Sequence, residues 1–193
     1  MVWSENKHGA SWTLRGWQWL AGWINWSFNV FPLLKPALNC LYPKIAGKDR
    51  LLTKVWVNNA VCKDLKWATH HMCASLGINL LSSISWDVEN ANTTVFCDAC
   101  MEGLAFYYPD HLTSFYSPIP TDTTQDIIFY FEALAVASAC DDLKRTLTHQ
   151  SMIVIYTDSM NTVNIFSSLK CQPEFNCLLQ HCVDVMILKD FQI

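Results

Sequence analysis

A single aspartate interrupts an apolar run in the stretch TTVFCDACMEGLAFYY, residues 93–108. The β-branched and aromatic residues on either side of Gly103 predict two paired strands joined by a tight turn. Asp98 then lies inside a strand that is at least half buried, where an ionised carboxylate is costly unless it is paired or binds a cation. The stretch predicts either a chemically active carboxylate or, because Cys97 and Cys100 enclose it, a cysteine-based metal or redox motif.

The spacing of hydrophobic residues changes along the chain. Up to about residue 85 it is helical, and beyond residue 91 strand patterns alternate with helix patterns. The second part gives the order strand, strand, helix, strand, helix, helix, which is typical of an α/β fold with a mixed sheet flanked by helices. We therefore predict a helical segment over 1–85 and an α/β domain over 91–193, in which DFQI at the end of the sequence begins one more strand.

Three predicted helices have recognisable apolar stripes. The first helix has its packed face at Leu20, Trp23, Ile24, Ser27, Phe28 and Phe31. The second starts after the N-cap candidates Asn58 and Asn59, ends at Gly77, and has its stripe at Val61, Leu65, Met72 and Leu76. The third has its inner face at Ala133, Val136, Ala137, Cys140 and Leu143.

The uncharged segment 17–34 reaches the lower length limit of a membrane span. Four polar residues interrupt it, Pro32 breaks its end, and its tryptophans are spread along it instead of gathering at two interfaces. A buried helix in a soluble protein is the better interpretation, so we predict no membrane association.

Charge and cysteine content limit the setting in which the protein works. The net charge is −4, whereas a protein that binds nucleic acid through a broad phosphate contact is usually basic. Any nucleic-acid role therefore depends on a local site or on other parts of a longer chain. The chain has nine cysteines, and its N-terminal residues show no cleavable signal pattern. Both features predict a reducing, intracellular compartment.

Two further carboxylates share the apolar setting of Asp98. Asp158 follows the strand pattern IVIY, and Glu132 lies in an apolar helix. Singly, Asp158 could be a helix N-cap and Asp98 could satisfy a turn. Together, with few basic residues beside them, the three acids indicate a shared cation, and Mg²⁺ is suitable because it prefers oxygen ligands and keeps waters for substrate phosphates.

The segments VFCDACMEGLAF, FYFEALAVASA and IYTDSMNTVNIF resemble the type I ribonuclease H domain of retroelement reverse transcriptases. Upstream, LAGWINWSFNVFPLLKPALNCLY and VNNAVCKDLKWATHHM are similar to the connection that such polyproteins, especially fungal ones, place between polymerase and ribonuclease H. The resemblance implies a ribonuclease H-like fold that hydrolyses the RNA strand of RNA–DNA hybrids. It also implies two Mg²⁺ or Mn²⁺ ions, Asp98, Glu132 and Asp158 as catalytic and metal-binding acids, and a polymerase in the same polyprotein as a partner.

The resemblance also leads us to expect an incomplete domain. The family has a further acid on a final strand and helix, and neither Asp184 nor Asp190 matches that motif. We therefore expect a fragment in which hydrolysis is weak or absent until the missing C-terminal segment is restored. Three polar residues are candidate contacts to the hybrid, although caps and loop positions would explain them equally: Gln125, Ser159 and Asn161.

Other functions remain open on the sequence alone. One alternative is a catalytically inactive scaffold whose tryptophan-rich segment contacts a polymerase or another chain. A transposase or integrase is disfavoured because the glutamate lies between the two aspartates. Zinc is disfavoured because Cys97 and Cys100 would face opposite sides of a strand, while His70, His71 and Cys73 lack a recognisable ligand spacing.

Overall fold

The computed structural model describes residues 11–74, 86–119, 128–147 and 151–193. The chain divides into two compact units. The first comprises Met1–Ser82 together with Lys170–Asn176, and the second comprises Ser83–Leu169 and Cys177–Ile193. The first unit is mainly helical, and the second contains the sheet that positions the carboxylates.

The elements of the first unit are two short antiparallel strands and three α-helices, joined by 3-10 segments. They are β1 (Ser11–Thr13), α1 (Leu14–Ser27), α2 (Leu41–Ile45), β2 (Lys54–Trp56) and α3 (Asn59–Ala74), with 3-10 segments at Pro32–Leu38 and Pro173–Phe175.

Helix α1 packs through the face that carries Leu14, Trp17 and Leu20. The helix begins at Thr13, whose hydroxyl accepts a hydrogen bond from the Gly16 backbone N–H at 3.2 Å. The Trp17 indole N–H donates to the Val55 carbonyl at 3.1 Å, which ties the helix to β2. The buried indole thus has its polar atom satisfied, as a core tryptophan requires.

The predicted packed face of α1 is wrong at Trp23. Leu20 and Phe28 are buried as predicted, but the Trp23 side chain is 58% exposed. Helix α1 has large apolar residues on two faces, so the 3.6-residue spacing allows more than one choice of packed face. The face that carries Trp17 is the one covered in this unit.

Helix α3 starts as predicted, because the Asn58 side-chain oxygen accepts a hydrogen bond from the Val61 backbone N–H at 3.0 Å. Val61 and Leu65 are buried, but Met72 is 38% exposed, so the predicted stripe is wrong at its third position. The predictions of Leu76 in the stripe and of Gly77 as the end lie outside the described residues.

A buried pair of asparagines joins residues 170–176 to the rest of the first unit. The Asn39 amide donates to the Asn176 side-chain oxygen at 2.8 Å. The Asn176 amide in turn donates to the Pro36 carbonyl at 3.1 Å. Both asparagine side chains are buried, so these bonds satisfy groups that water does not reach.

The second unit is a four-stranded mixed sheet with helices, which confirms the predicted α/β class. The strand order is β5-β4-β3-β6, with β3 parallel to β6 and the other neighbours antiparallel. The elements are β3 (Thr93–Ala99), β4 (Gly103–Tyr108), β5 (Thr113–Pro118), α4 (Ile128–Thr146), β6 (Ile153–Tyr156), α5 (Met160–Ser168) and α6 (Asn176–Lys189), which begins at the last residue of the first unit.

Helix α4 covers one face of this sheet. All five residues predicted for its inner face are buried. On β3, Val95, Cys97 and Ala99 are buried, while the intervening Phe96 and Asp98 are exposed. The alternation shows that the two faces of β3 have different surroundings.

Strand β5 was not predicted, because its boundary lacks a glycine or asparagine turn signal. The turn before it ends at Leu112, which adopts a left-handed conformation with φ 51°. That conformation normally favours glycine. At the other end of the sheet, the strand predicted at DFQI is only a single parallel bridge between Met152 and Gln192.

No described helix combines the length and the apolar character that crossing a membrane requires.

Candidate metal centre

Asp98 and Asp158 lie at the same end of two adjacent parallel strands. In the register of β3 and β6, Phe96 pairs with Tyr156, and each aspartate follows two residues later. The carboxyl ends of neighbouring parallel strands meet at one edge of a sheet, and ligands bind there in many α/β folds. Strand pairing alone therefore brings two carboxylates that are 60 positions apart in the sequence to one place.

Glu132 approaches the two aspartates from helix α4. One candidate ligand oxygen from each of the three carboxylates lies within 4.8 Å of the others. We refer to Asp98, Glu132 and Asp158 as the carboxylate cluster. In the part of the chain that the structure describes, it is the only group of three acidic, histidine or cysteine side chains close enough to share an ion.

The three acids have different exposures. Asp98 and Asp158 are exposed, whereas Glu132 is buried. The cluster therefore combines an inner carboxylate, fixed in the fold, with two outer carboxylates that water and solutes can reach. An ion held there would keep part of its coordination open to a substrate.

Burial raises the pKa of Glu132, and the nearby Asp158 and Asp98 raise it further. Hydrogen bonds from the Ala99 backbone and the Thr157 side chain act in the opposite direction and favour the ionised form. The net shift is upward because desolvation and like-charge repulsion outweigh these two bonds.

One carboxylate oxygen of Glu132 is unsatisfied within the described part of the chain. Glu132 Oε2 is buried and has no hydrogen-bond partner among the described residues. Leaving a buried carboxylate oxygen unpaired costs about 1–3 kcal/mol, and more when it is charged. A cation bound by the cluster would supply the missing partner, so the donor set and this oxygen both fit a hard divalent ion.

The N-cap of α5 is Ser159 and not Asp158. The Ser159 hydroxyl accepts from the Thr162 backbone N–H at 3.4 Å and from the Thr162 hydroxyl at 2.9 Å. Capping therefore does not account for Asp158, and its carboxylate remains directed to the cluster. The same bonds give Ser159 a structural role at the site.

Asn161 and Gln125 were also predicted to contact the RNA–DNA hybrid. Asn161 is exposed in the first turn of α5, close in sequence to Asp158. Gln125 lies outside the described residues, so its role stays a prediction.

The two cysteines that enclose Asp98 have different surroundings. Cys97 is buried and Cys100 is exposed. Burial raises the pKa of the Cys97 thiol, and nearby Cys140 and Glu132 raise it further. Because a thiolate is the form that binds metal, this thiol is a poor ligand.

A groove beside the carboxylate cluster was not predicted from the sequence. It has a volume of about 490 Å³, and its lining includes Phe96, Tyr107 and Tyr156 besides Asp98 and Asp158. The alternation of strand residues predicts which side chains share a face of β3, but the neighbouring strands had to be known before their aromatic rings could be placed together. Thr157, which bonds to Glu132, was missed for the same reason.

No protein-family model matches the chain, and a search of curated proteins gives no match.

Proposed function

We propose that this chain is a ribonuclease H-type domain with the connection segment of a retroelement reverse transcriptase, and that it hydrolyses the RNA strand of RNA–DNA hybrids. The observation that carries the proposal is the carboxylate cluster, in which two strand ends and one helix place three acids within 4.8 Å of one another. The order of acids along the chain and their flanking residues supply the resemblance to that family.

Asp98, Glu132 and Asp158 would hold Mg²⁺ or Mn²⁺. The oxygen-only donor set and the buried, unpaired Glu132 Oε2 support a hard cation over zinc. When bound, divalent ions make water nucleophilic near neutral pH and stabilise the charge on the leaving oxygen of a phosphodiester.

The residues of the chain prepare the site for this chemistry. Ala99 and Thr157 fix the Glu132 carboxylate through hydrogen bonds, so its position does not depend on the ion alone. The exposed Asp98 and Asp158 are accessible to a phosphodiester from the groove side. The Ser159 cap holds the start of α5, where the exposed Asn161 is suited to a hydrogen bond with the sugar–phosphate backbone.

The charge of the chain bears on how the hybrid is bound. At a net charge of −4, nonspecific attraction to a polyanion is weak. An A-form-like duplex is recognised through its shape and its 2′-hydroxyls, which require local contacts more than a broad basic surface. We propose that the polymerase part of the same polyprotein contributes most of the affinity for the hybrid.

The test is cleavage of an end-labelled RNA–DNA hybrid in the presence of Mg²⁺ or Mn²⁺, compared with the same RNA as a single strand. We expect slow cleavage of the RNA strand in the hybrid only. Asp98→Asn should abolish it, and Glu89→Gln, which removes an exposed carboxylate elsewhere in the second unit, should leave it unchanged.

Two results would contradict the proposal. Cleavage that survives in Asp98→Asn would place the activity elsewhere or in a contaminant. Ion binding by the cluster without any hybrid cleavage at high protein concentration would instead support the inactive scaffold.

A further inference from the structure

Helix α1 has a second apolar face, which is exposed, besides the one that is buried. Trp19, Trp23 and Trp26 are 65%, 58% and 65% exposed. Their rings contact one another in series, with centroids 6.3 Å apart between Trp19 and Trp23 and 5.8 Å apart between Trp23 and Trp26. Together with Gly22, these residues follow the i, i+3, i+4, i+7 spacing of one helix face. We call them the tryptophan face.

Gly22 forms a gap in the middle of this face. A Cβ added at Gly22 would meet no atom within 4 Å. Trp19 and Trp26 lie about one turn before and after it, and Trp23 is adjacent to it in sequence. The face thus consists of large flat rings around a shallow recess.

Such a face is unusual on a surface helix. The only charged residue of α1 is Arg15, and large apolar side chains on two faces of one helix are normally buried on both. Within the described part of the first unit, nothing buries these indoles. Together they expose an estimated area of roughly 450 Å², which is in the range of functional apolar patches.

We propose that the tryptophan face is the interface between two copies of this chain, packed about a twofold axis. A stable interface buries about 800 Å² on each partner, so the three indoles supply about half of it and the exposed Gln18, Asn25 and Val30 extend it. The face is complementary to itself, because a partner indole can occupy the recess at Gly22 while the copy offers the same recess in return. This inference concerns the first unit and does not depend on the proposed ribonuclease activity.

The composition of the face disfavours other occupants. Nucleic acid and anionic lipid headgroups are bound through clusters of lysine and arginine, and α1 carries only one such residue, Arg15, four positions before Trp19. A second copy of this face brings indoles against indoles and excludes water from both sets of rings. Tryptophan is also the residue most enriched at the energetic centre of protein interfaces.

The test is sedimentation equilibrium of the full chain from ~1 to ~100 µM, a range that detects micromolar dimers. We expect a monomer–dimer equilibrium. Trp23→Gln should weaken association at least about 10-fold, as truncation of a central interface tryptophan does. Trp56→Gln is the matched control, since Trp56 is also 58% exposed but lies on β2, and it should leave association unchanged.

A second variant distinguishes a loss of the dimer interface from a loss of the folded monomer. Glutamate is a good helix former, so Gly22→Glu should keep the circular dichroism spectrum and the thermal midpoint of the monomer. It should nevertheless abolish the dimer, because two carboxylates would be buried in the recess.

Three results would overturn the proposal. They are a monomer at every concentration, a dimer that neither variant weakens, and binding to neutral phosphatidylcholine vesicles that Trp23→Gln removes while no dimer forms. The last would assign the face to a lipid surface.

Discussion

Phe96 and Tyr156 stack with their ring centroids 5.0 Å apart and their planes inclined by 18°. They are register partners on the parallel strands β3 and β6, and each precedes an aspartate of the carboxylate cluster by two residues. A slip of one residue in the register would turn one strand's side chains to the other face. The stacked pair thus stabilises the register that brings Asp98 and Asp158 to the same level.

Removing either ring should destabilise the protein, and the two effects should be coupled. Phe96→Ala and Tyr156→Ala should each lower the free energy of unfolding by about 1–2 kcal/mol because both rings are only half exposed. A double-mutant cycle from urea denaturation should give a coupling of about 0.5–1.5 kcal/mol. Strict additivity would show that the rings are stacked without stabilising the register.

Magnesium or manganese should raise the thermal midpoint of the chain. An ion that binds only the folded state adds about 1.4 kcal/mol to stability at ten times its Kd. Asp98→Asn should abolish the shift while itself stabilising the ion-free protein, since it removes one of three repelling charges. Differential scanning fluorimetry with EDTA as the reference measures both effects, and an equal shift in wild type and variant would locate ion binding outside the cluster.

The raised pKa of Glu132 predicts a stability that falls as pH rises. A folded-state pKa above the ordinary 4.5 means that the folded protein holds this proton more tightly than the unfolded chain. The stability that the protonated Glu132 contributes is therefore fully present below pH 4.5, the ordinary pKa. It is lost as the pH rises through the raised folded-state pKa.

Glu132→Gln isolates this effect. Without divalent ions, the variant should be more stable than wild type once the pH exceeds the raised folded-state pKa of Glu132, and it should lack the fall in stability that begins above about pH 4.5. Urea denaturation of both proteins with EDTA at several pH values gives the difference directly. Identical pH profiles would mean that Glu132 titrates alike in the folded and unfolded chains.

The two cysteines around Asp98 should affect stability differently and metal content not at all. Cys97→Ser places a hydroxyl in the core and should cost about 1–3 kcal/mol, whereas Cys100→Ser alters an exposed side chain and should change stability by less than about 0.5 kcal/mol. Elemental analysis should find no cysteine-dependent zinc. Stoichiometric zinc that either variant loses would assign the motif to metal binding.

Asn176→Ala should destabilise the first unit. It removes the acceptor of the buried Asn39 amide and the donor to the Pro36 carbonyl, so we expect a loss of about 2 kcal/mol. Asn29→Ala, at an exposed asparagine, is the control and should be close to neutral. Equal losses would mean that the asparagine pair contributes little beyond its packing.

The sequence predicted most where local pattern and tertiary structure agree. Strand β3, helix α4 and its inner face follow directly from hydrophobic spacing, and the three acids stood out because each lies in apolar surroundings. The exposed Trp23 was not predictable, because α1 has large apolar residues on two faces and spacing alone does not choose between them. Strand β5 was not predicted because the turn before it depends on a left-handed conformation of Leu112. A leucine in the sequence does not indicate that conformation.

The asparagine pair also makes the first unit depend on a segment that is synthesised late. Asn39 emerges early from the ribosome, but its buried partner is residue 176, after nearly all of the second unit has been made. While only residues 1–82 have been synthesised, the buried Asn39 amide therefore lacks the partner that it has in the complete first unit. A fragment that ends between the two units would lack Lys170–Asn176, which belong to the first unit. The two units are distinct compact bodies, but neither is encoded by one contiguous stretch of the gene.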